Sequence, residues 1–574
     1  MSRDSLLDVA RGDAPADLLF RNGRVVNVFT GEVEEVDVAI HQGRVAGLGP
    51  GYEADRTVDL GGRFLLPGFI DAHVHVESSL ATPPEFARAV VPRGTTTVVS
   101  DPHEIANVHG LAGIRFMLDA SEGLPLSVFV MASSCVPATH MGTAGAHLDS
   151  AALATLLSHP RVLGLAEVMN FPGVIHGDPE VMAKLVAFEG LIVDGHAPGV
   201  SGQALNAYVA AGPTSDHECT TPAEAVEKLR RGLFLYLREA TNARNLRDLL
   251  PALTPENRRR AALCTDDRQP PDLLDEGGID AMVRVLIQEG MPPVEAIRMA
   301  TLNPVDHFGL SDRGAIAPGR RADLLVAGSL GELSVDEVFV AGTLVARGGR
   351  PLPWTLPTPP APPAPSMKVD WKLLNLGIPA RAGRVRVIEA IPDQIFTGAG
   401  EIEPTVKDGR VVADPHRDLL KIVVIERHTG SGRVGLGLVR GVGLAEGAIA
   451  GTVAHDHHNI VAIGADDGSI LSAARAVANM SGGLAVSRGE DILASLPLPV
   501  GGLMSEAPIE TIREEMERVV KAARGLGSPL HDPFMAMSFL ALEVIPSLKI
   551  TDLGLVDVSR FERVGLWVDG EPKA

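Results

Sequence analysis

Three cysteines in 574 residues, Cys135, Cys219 and Cys264, stand far apart and form no CxxC pair. That spacing excludes a disulfide framework and a thiolate zinc site. No apolar run approaches the roughly 18 to 20 residues of a membrane span. The opening stretch MSRDSLLDVARGDAPADLL carries acidic residues where a secretory signal needs an apolar core. A cytoplasmic protein is the expectation. Basic residues are also in deficit: 51 Lys and Arg against 72 Asp and Glu give a formal charge of −21. Such a balance repels phosphate backbones and anionic lipid surfaces, so neither nucleic acid nor membrane is an expected partner. Aromatic residues are scarce too, at 4%.

What is plentiful is turn chemistry, with 61 Gly and 42 Pro. This favours many strand-to-helix junctions over a few long helices. The length exceeds what one hydrophobic core organises, so several domains are expected. Residues 17–65 alternate apolar and polar in short runs (DLLFRNGRVVNVF, VDVAIHQGRVAGLG, RTVDLGGRFLLPG), and the pattern returns at 322–350. These read as hairpins of one small discontinuous β-sandwich, 1–65 with 315–350. Between them eight short strand candidates alternate with helical patterns: FLLPGFIDAHV, TTTVVSD, LSVFVMASS, RVLGLAEV, LIVDGH, TSDH, LFLYLRE and RAALCTD. Regular strand–helix alternation predicts a parallel sheet, and eight units predict a closed (β/α)₈ TIM-like barrel over 66–314. TSDH is weak as a strand and is included because the repeat demands it. Residues 351–366, PLPWTLPTPPAPPAPS, read as a proline-rich linker. A C-terminal α+β domain follows over 367–574.

The chemistry starts at FIDAHVHVESS. Side chains at i and i+2 of a strand share a face, so His73 and His75 converge. Alone, an HxH pair is as readily structural as metal-binding. Further candidates sit at the carboxyl ends of other strands, where catalytic groups of this fold gather. Glu167 ends the fourth, His196 the fifth, His217 the sixth and Asp266 the eighth. Imidazole and carboxylate without thiolate suit Zn2+, Fe2+ or Mn2+. The expected arrangement is two divalent ions bridged by Glu167, with His73, His75 and Asp266 on one and His196 and His217 on the other. Two such ions activate a bridging hydroxide, and Asp266 relays its proton to the leaving group.

This ligand pattern resembles the amidohydrolase superfamily. Members that bridge their metals with a carboxylated lysine are disfavoured, because Glu167 stands here instead. The phrases PGFIDAHVHVESS, PRGTTTVVSDPHEIANV, SSCVPAT, LCTDDR, TVAHDHHNIVAIGADD, LPVGGLMS and DPFMAMSFLALEVIP are similar to bacterial adenine deaminases within it. The resemblance runs from about residue 15 to the C-terminus, apart from the linker. It implies a small purine substrate, with adenine and water giving hypoxanthine and ammonia by attack of the hydroxide on C6. A homo-oligomer is expected. Glu218 is a candidate acid for ring N1, against an outward surface position. His103, Glu104, Arg238, Glu239 and Arg268 are candidates for the substrate pocket or for orienting the ligands, and Asp267 for the latter.

Rival readings are another amidohydrolase acting on a different aminated base or a cyclic amide, and a metal-binding scaffold without activity. A cytidine-deaminase zinc motif is excluded, since His75-Val-Glu77 has no PCxxC partner. Gly430, Gly432 and Gly435 spell GxGxxG, but the alternating sequence after them predicts a hairpin rather than a dinucleotide-binding turn. The run AHDHHN at 454–459 is read as a polar loop, a metal site, or a lid or wall over the barrel mouth; the last is favoured.

Overall fold

The structure, a computed structural model, describes residues 3–392 and 394–568. Eight parallel strands form its centre: β1 (Phe69–Val74), β2 (Thr95–Ser100), β3 (Ser127–Ala132), β4 (Val162–Val168), β5 (Ile192–Gly195), β6 (Ser215–Asp216), β7 (Phe234–Arg238) and β8 (Ala261–Cys264). Most of their residues are buried on both faces, as strands enclosed by helices must be. β1 to β5 form one continuous parallel sheet and β6 to β8 another. At one seam Thr214 N–H donates to Val193 O at 2.8 Å; at the other Asp266 N–H donates to His73 O at 3.0 Å. Those bonds close the barrel. Its interior is filled by Phe234 and Tyr236 of β7 against the small Ala72, Ala166 and Ala262.

Two irregularities in this sheet fall where chemistry is expected. Pairing of β1 with β2 shifts register between Asp71 and Val74, and pairing of β4 with β5 shifts between Leu165 and Val168. A bulge bends a strand and re-aims its side chains. Here the bulged segments carry His73 and Glu167.

The strand Leu324–Ala327 pairs antiparallel with Phe64–Pro67 on one side and Val335–Val340 on the other. Sequence-distant segments therefore share one sheet, which packs on a second sheet through Leu18, Phe20, Val38, Ile40, Leu65 and Phe339. Beyond the proline-rich stretch, an eight-stranded sheet forms the centre of the C-terminal part. Its strands Leu420–Ile425 and Val434–Arg440 pair antiparallel across the GxGxxG glycines, so no helix opens there. Ala448–Gly451 and Ile460–Gly464 form another antiparallel pair, and the loop between them carries His455, Asp456, His457 and His458.

That loop reaches the barrel mouth because the two parts are tied together. Thr139 Oγ1 donates to Glu543 Oε1 at 2.7 Å, Thr551 Oγ1 to Met141 O at 2.6 Å, and Asn459 Nδ2 to Thr143 O at 2.9 Å. Among the described residues, no helix is long and apolar enough to cross a membrane.

Candidate metal centre and active site

Six side chains from five strand ends meet at the carboxyl rim of the barrel, all of them buried. His73 Nε2 and His75 Nε2 lie 3.2 Å apart, with Asp266 Oδ1 at 3.5 and 3.1 Å and Glu167 Oε1 at 3.7 and 3.2 Å from them. The second oxygen of Glu167 turns the other way. Its Oε2 stands 2.7 Å from His196 Nδ1 and 3.2 Å from His217 Nε2. Ligands about 2.1 Å from one tetrahedral ion are separated by about 3.4 Å. Most of the donor atoms here have that spacing, in two groups that share one carboxylate.

Neighbouring groups fix the orientation. His75 Nδ1 donates to Asp101 O at 2.9 Å, which leaves Nε2 as the inward nitrogen. Asp71 accepts from Thr265 N–H at 3.1 Å and Thr265 Oγ1 at 2.5 Å, binding the start of β1 to the end of β8. Asp266 has φ of +53°, left-handed backbone that asparagine and aspartate tolerate best, and its carbonyl accepts from His75 N–H at 3.4 Å. Asp216 accepts from Ala197 N–H at 2.8 Å, Glu218 N–H at 3.1 Å and the buried Lys228 Nζ at 2.8 Å. One carboxylate thus anchors the segments that present both His196 and His217.

The charge pattern fits a bound cation. Burial opposes charging of His75, His103 and His217, yet the surrounding carboxylates hold all three well above the usual imidazole range. Burial also opposes ionisation of Glu167 and Asp266, yet the imidazoles hold both well below the carboxylate range. The packing demands positive charge among these oxygens, and a divalent ion supplies it. His196 Nε2 and His217 Nδ1 have no hydrogen-bond partner, so neither ring is held by a structural network through that atom. The three cysteines take no part: burial raises every one of their thiols, Cys135 to about 12.

Glu218 points inward. Strand β6 ends at Asp216, so alternation no longer governs Glu218, and its carboxylate lies 3.4 Å from His217 Nε2. Arg238 grips it with two bonds, Nη1–Oε1 at 2.5 Å and Nη2–Oε2 at 3.0 Å. Burial would raise its pKa, but Arg238, then His196 and His217, hold it ionised. The structure thus places Glu218, the candidate acid for ring N1, inside the cavity with Arg238 as its partner.

His103, Glu104 and Arg238 line the cavity over these six side chains, and so does Asp267. Glu239 and Arg268 do not. Glu239 Oε1 accepts from Leu246 N–H at 3.1 Å, while Arg268 donates to Glu239 O at 2.6 Å and Glu276 Oε2 at 2.8 Å. Both support the loop after β7. Sequence reading missed the opposite wall: Ile395, Phe539, Leu542 and Ile545 from the C-terminal part, facing Met169 and Ala243. His455 and Asp456 close the same cavity, with the His455 ring stacked on Phe539 at 4.7 Å and 12°. Only the phrase DPFMAMSFLALEVIP hinted at this wall, and no spacing rule connects it to a barrel 300 residues earlier.

Fold and rim constellation together define a metal-dependent hydrolase of the amidohydrolase type. The amidohydrolase family profile matches residues 64–345, and the profile of the adenine deaminase C-terminal domain matches 394–562. The chain is 51% identical to the adenine deaminase of Desulfatibacillum aliphaticivorans, over 99% of this chain and 100% of that one. It is 49% identical to adenine deaminase 2 of Carboxydothermus hydrogenoformans (97% and 98% covered) and 47% identical to the adenine deaminase of Methanothrix thermoacetophila (99% and 100%). The chain belongs to the adenine deaminase family.

Proposed function

We propose that this chain hydrolyses adenine to hypoxanthine and ammonia in the cytoplasm, at a two-ion centre held by His73, His75, Glu167, His196, His217 and Asp266. The observation that carries the two-ion reading is Glu167, whose two oxygens face two different ligand groups. Bound divalent ions supply Lewis acidity and bring the pKa of a water they hold toward neutrality. Zn2+, Fe2+ and Mn2+ all suit this donor set.

The residues of the chain do the rest. Ile395, Phe539, Leu542 and Ile545 provide an apolar wall that suits a flat aromatic base and excludes bulk water. Asp266 Oδ1 lies at the ligand cluster, placed to take the proton of the attacking water as its oxygen adds to C6. Oδ2 is held by Arg238 Nη1 at 2.9 Å, so the carboxylate cannot swing away. Addition at C6 requires a proton at ring N1, and breakage of the C6–N6 bond requires one on the departing nitrogen. Both protons come from the water: Asp266 passes the first to N1, then takes the second from the C6 hydroxyl as C6=O forms and delivers it to the exocyclic nitrogen, which leaves as ammonia. Glu218 accepts from the amino group of the base, and Arg238, donating to both oxygens of Glu218, holds that carboxylate in place.

The test is ammonia release from adenine, guanine and cytosine, and ring opening of dihydroorotate followed by its ultraviolet absorbance, by protein reconstituted with Mn2+, Fe2+ or Zn2+. Turnover of adenine far above the other three is expected. Preference for guanine, cytosine or dihydroorotate would overturn the substrate.

A further inference from the structure

A second cluster of metal-ligating side chains lies beside the first and is built from both halves of the protein. His103 and Glu104, at the start of the helix His103–His109 after β2, face His455 and Asp456 on the loop of the C-terminal sheet. Their donor atoms lie within 4.8 Å of one another, and all four residues are buried. His103 Nε2 is 3.3 Å from Glu104 Oε1 and 3.5 Å from Asp456 Oδ1; His455 Nδ1 is 2.5 Å from Glu104 Oε1 and 3.8 Å from Asp456 Oδ1. We propose that these four side chains hold a further divalent cation, distinct from the pair at His73 and Glu167, which clamps the C-terminal loop onto the barrel rim.

Three observations carry this. First, both oxygens of Asp456 lack a hydrogen-bond donor although the residue is only 2% exposed. A buried carboxylate without donors costs several kcal/mol unless a cation faces it. Second, the cluster is rigidly supported from behind. His103 Nδ1 donates to Asp101 Oδ2 at 2.8 Å, and Asp101 Oδ1 accepts from Ser133 Oγ at 2.7 Å, which turns His103 Nε2 into the cluster. On the other side the buried Arg427 donates to His458 O, and to Gly501 O at 2.8 Å, while its N–H is bonded to Asn459. Third, the donor set is two imidazoles and two carboxylates without sulfur, which is the composition Zn2+ and Mn2+ accept. His458 Nδ1 accepts from Ala454 N–H at 3.2 Å, so its Nε2 carries the proton and donates to Glu104 Oε2. The alternative is a metal-free ion pair between a protonated His455 and Glu104, which leaves the Asp456 carboxylate only the longer contacts to His103 Nε2 at 3.5 Å and His455 Nδ1 at 3.8 Å.

The site does not depend on which base is the substrate. Crystals of the full chain loaded with Zn2+ and measured at the zinc edge locate every ion directly. An anomalous peak enclosed by His103, Glu104, His455 and Asp456, in addition to density at His73 and His196, is the expected result. Absence of that peak while the His73 centre is filled overturns the proposal. In solution, Asp456→Ala and His455→Ala, each checked for folding by circular dichroism, are expected to bind one zinc equivalent fewer per chain than the wild type. Unchanged zinc content in both variants also overturns it.

Discussion

Asp266 is shared between the ligand cluster and Arg238: its Oδ1 lies 3.1 Å from His75 Nε2, and its Oδ2 accepts from Arg238 Nη1 at 2.9 Å. Because Arg238 Nη1 also donates to Glu218 Oε1, one guanidinium sets the position of both carboxylates proposed to act on the base. Asp266→Asn keeps the shape and a ligating oxygen but removes proton transfer. Its kcat should fall by about 10²- to 10⁴-fold with metal still bound. Near-normal turnover in this variant would remove Asp266 from the proton path.

Arg238→Met leaves two buried carboxylates facing each other with no cation between them. Breaking a buried pair from one side costs about 3–5 kcal/mol. Chemical denaturation should show a loss of that order in the variant. Arg238→Lys should recover part of the stability but not the two-pronged grip on Glu218.

Glu167→Gln tests the shared carboxylate. A residue that faces both ligand groups should weaken both ions when neutralised, so metal analysis after dialysis should show losses beyond a single equivalent. Loss of one ion alone would assign Glu167 to one group only.

Phe539→Ala removes the apolar face on which His455 stacks. If the base rests against this wall, KM for adenine should rise about tenfold or more, as loss of a good aromatic contact of about 1.5 kcal/mol implies. An unchanged KM would move the base elsewhere in the cavity.

Lys549 offers a pH signature. Its Nζ donates to Ile395 O and Phe539 O, both at 2.8 Å, and so supports two wall residues from behind. Burial pushes the ammonium down from 10.5 to about 7. Between about 7 and 10.5 the unfolded chain then binds more protons than the folded one, so this group makes stability rise with pH across that window. Below about 7 both states are charged and the slope vanishes. Denaturation midpoints at pH 7, 8 and 9 should climb more steeply in the wild type than in Lys549→Met. Equal slopes would mean that Lys549 stays charged.

The barrel was legible, and with it the strand-end positions proposed to hold metal, because strand-end chemistry recurs at a fixed place in this fold. His73, His75, Glu167, His196, His217 and Asp266 each terminate or follow an apolar run, and closure of the barrel brings those ends together. Glu218 was ambiguous for a physical reason: β6 is only Ser215–Asp216, too short for alternation to decide where residue 218 points. Glu239 and Arg268 look like pocket residues by position, but one caps an amide and the other bonds a carbonyl and a surface carboxylate. That Ile395, Phe539 and Leu542 form a wall of the cavity was not legible from spacing or periodicity. It arises from docking between two domains, which depends on side-chain fit across an interface rather than on any periodicity along the chain.

Metal removal tests the central claim most directly. Protein stripped with a chelator and dialysed should release no ammonia from adenine, and added Mn2+, Fe2+ or Zn2+ should restore release in proportion to the ions bound, up to two per chain at the His73–His196 centre. Persistent turnover in stripped protein that contains no measurable divalent metal would contradict hydrolysis at that centre.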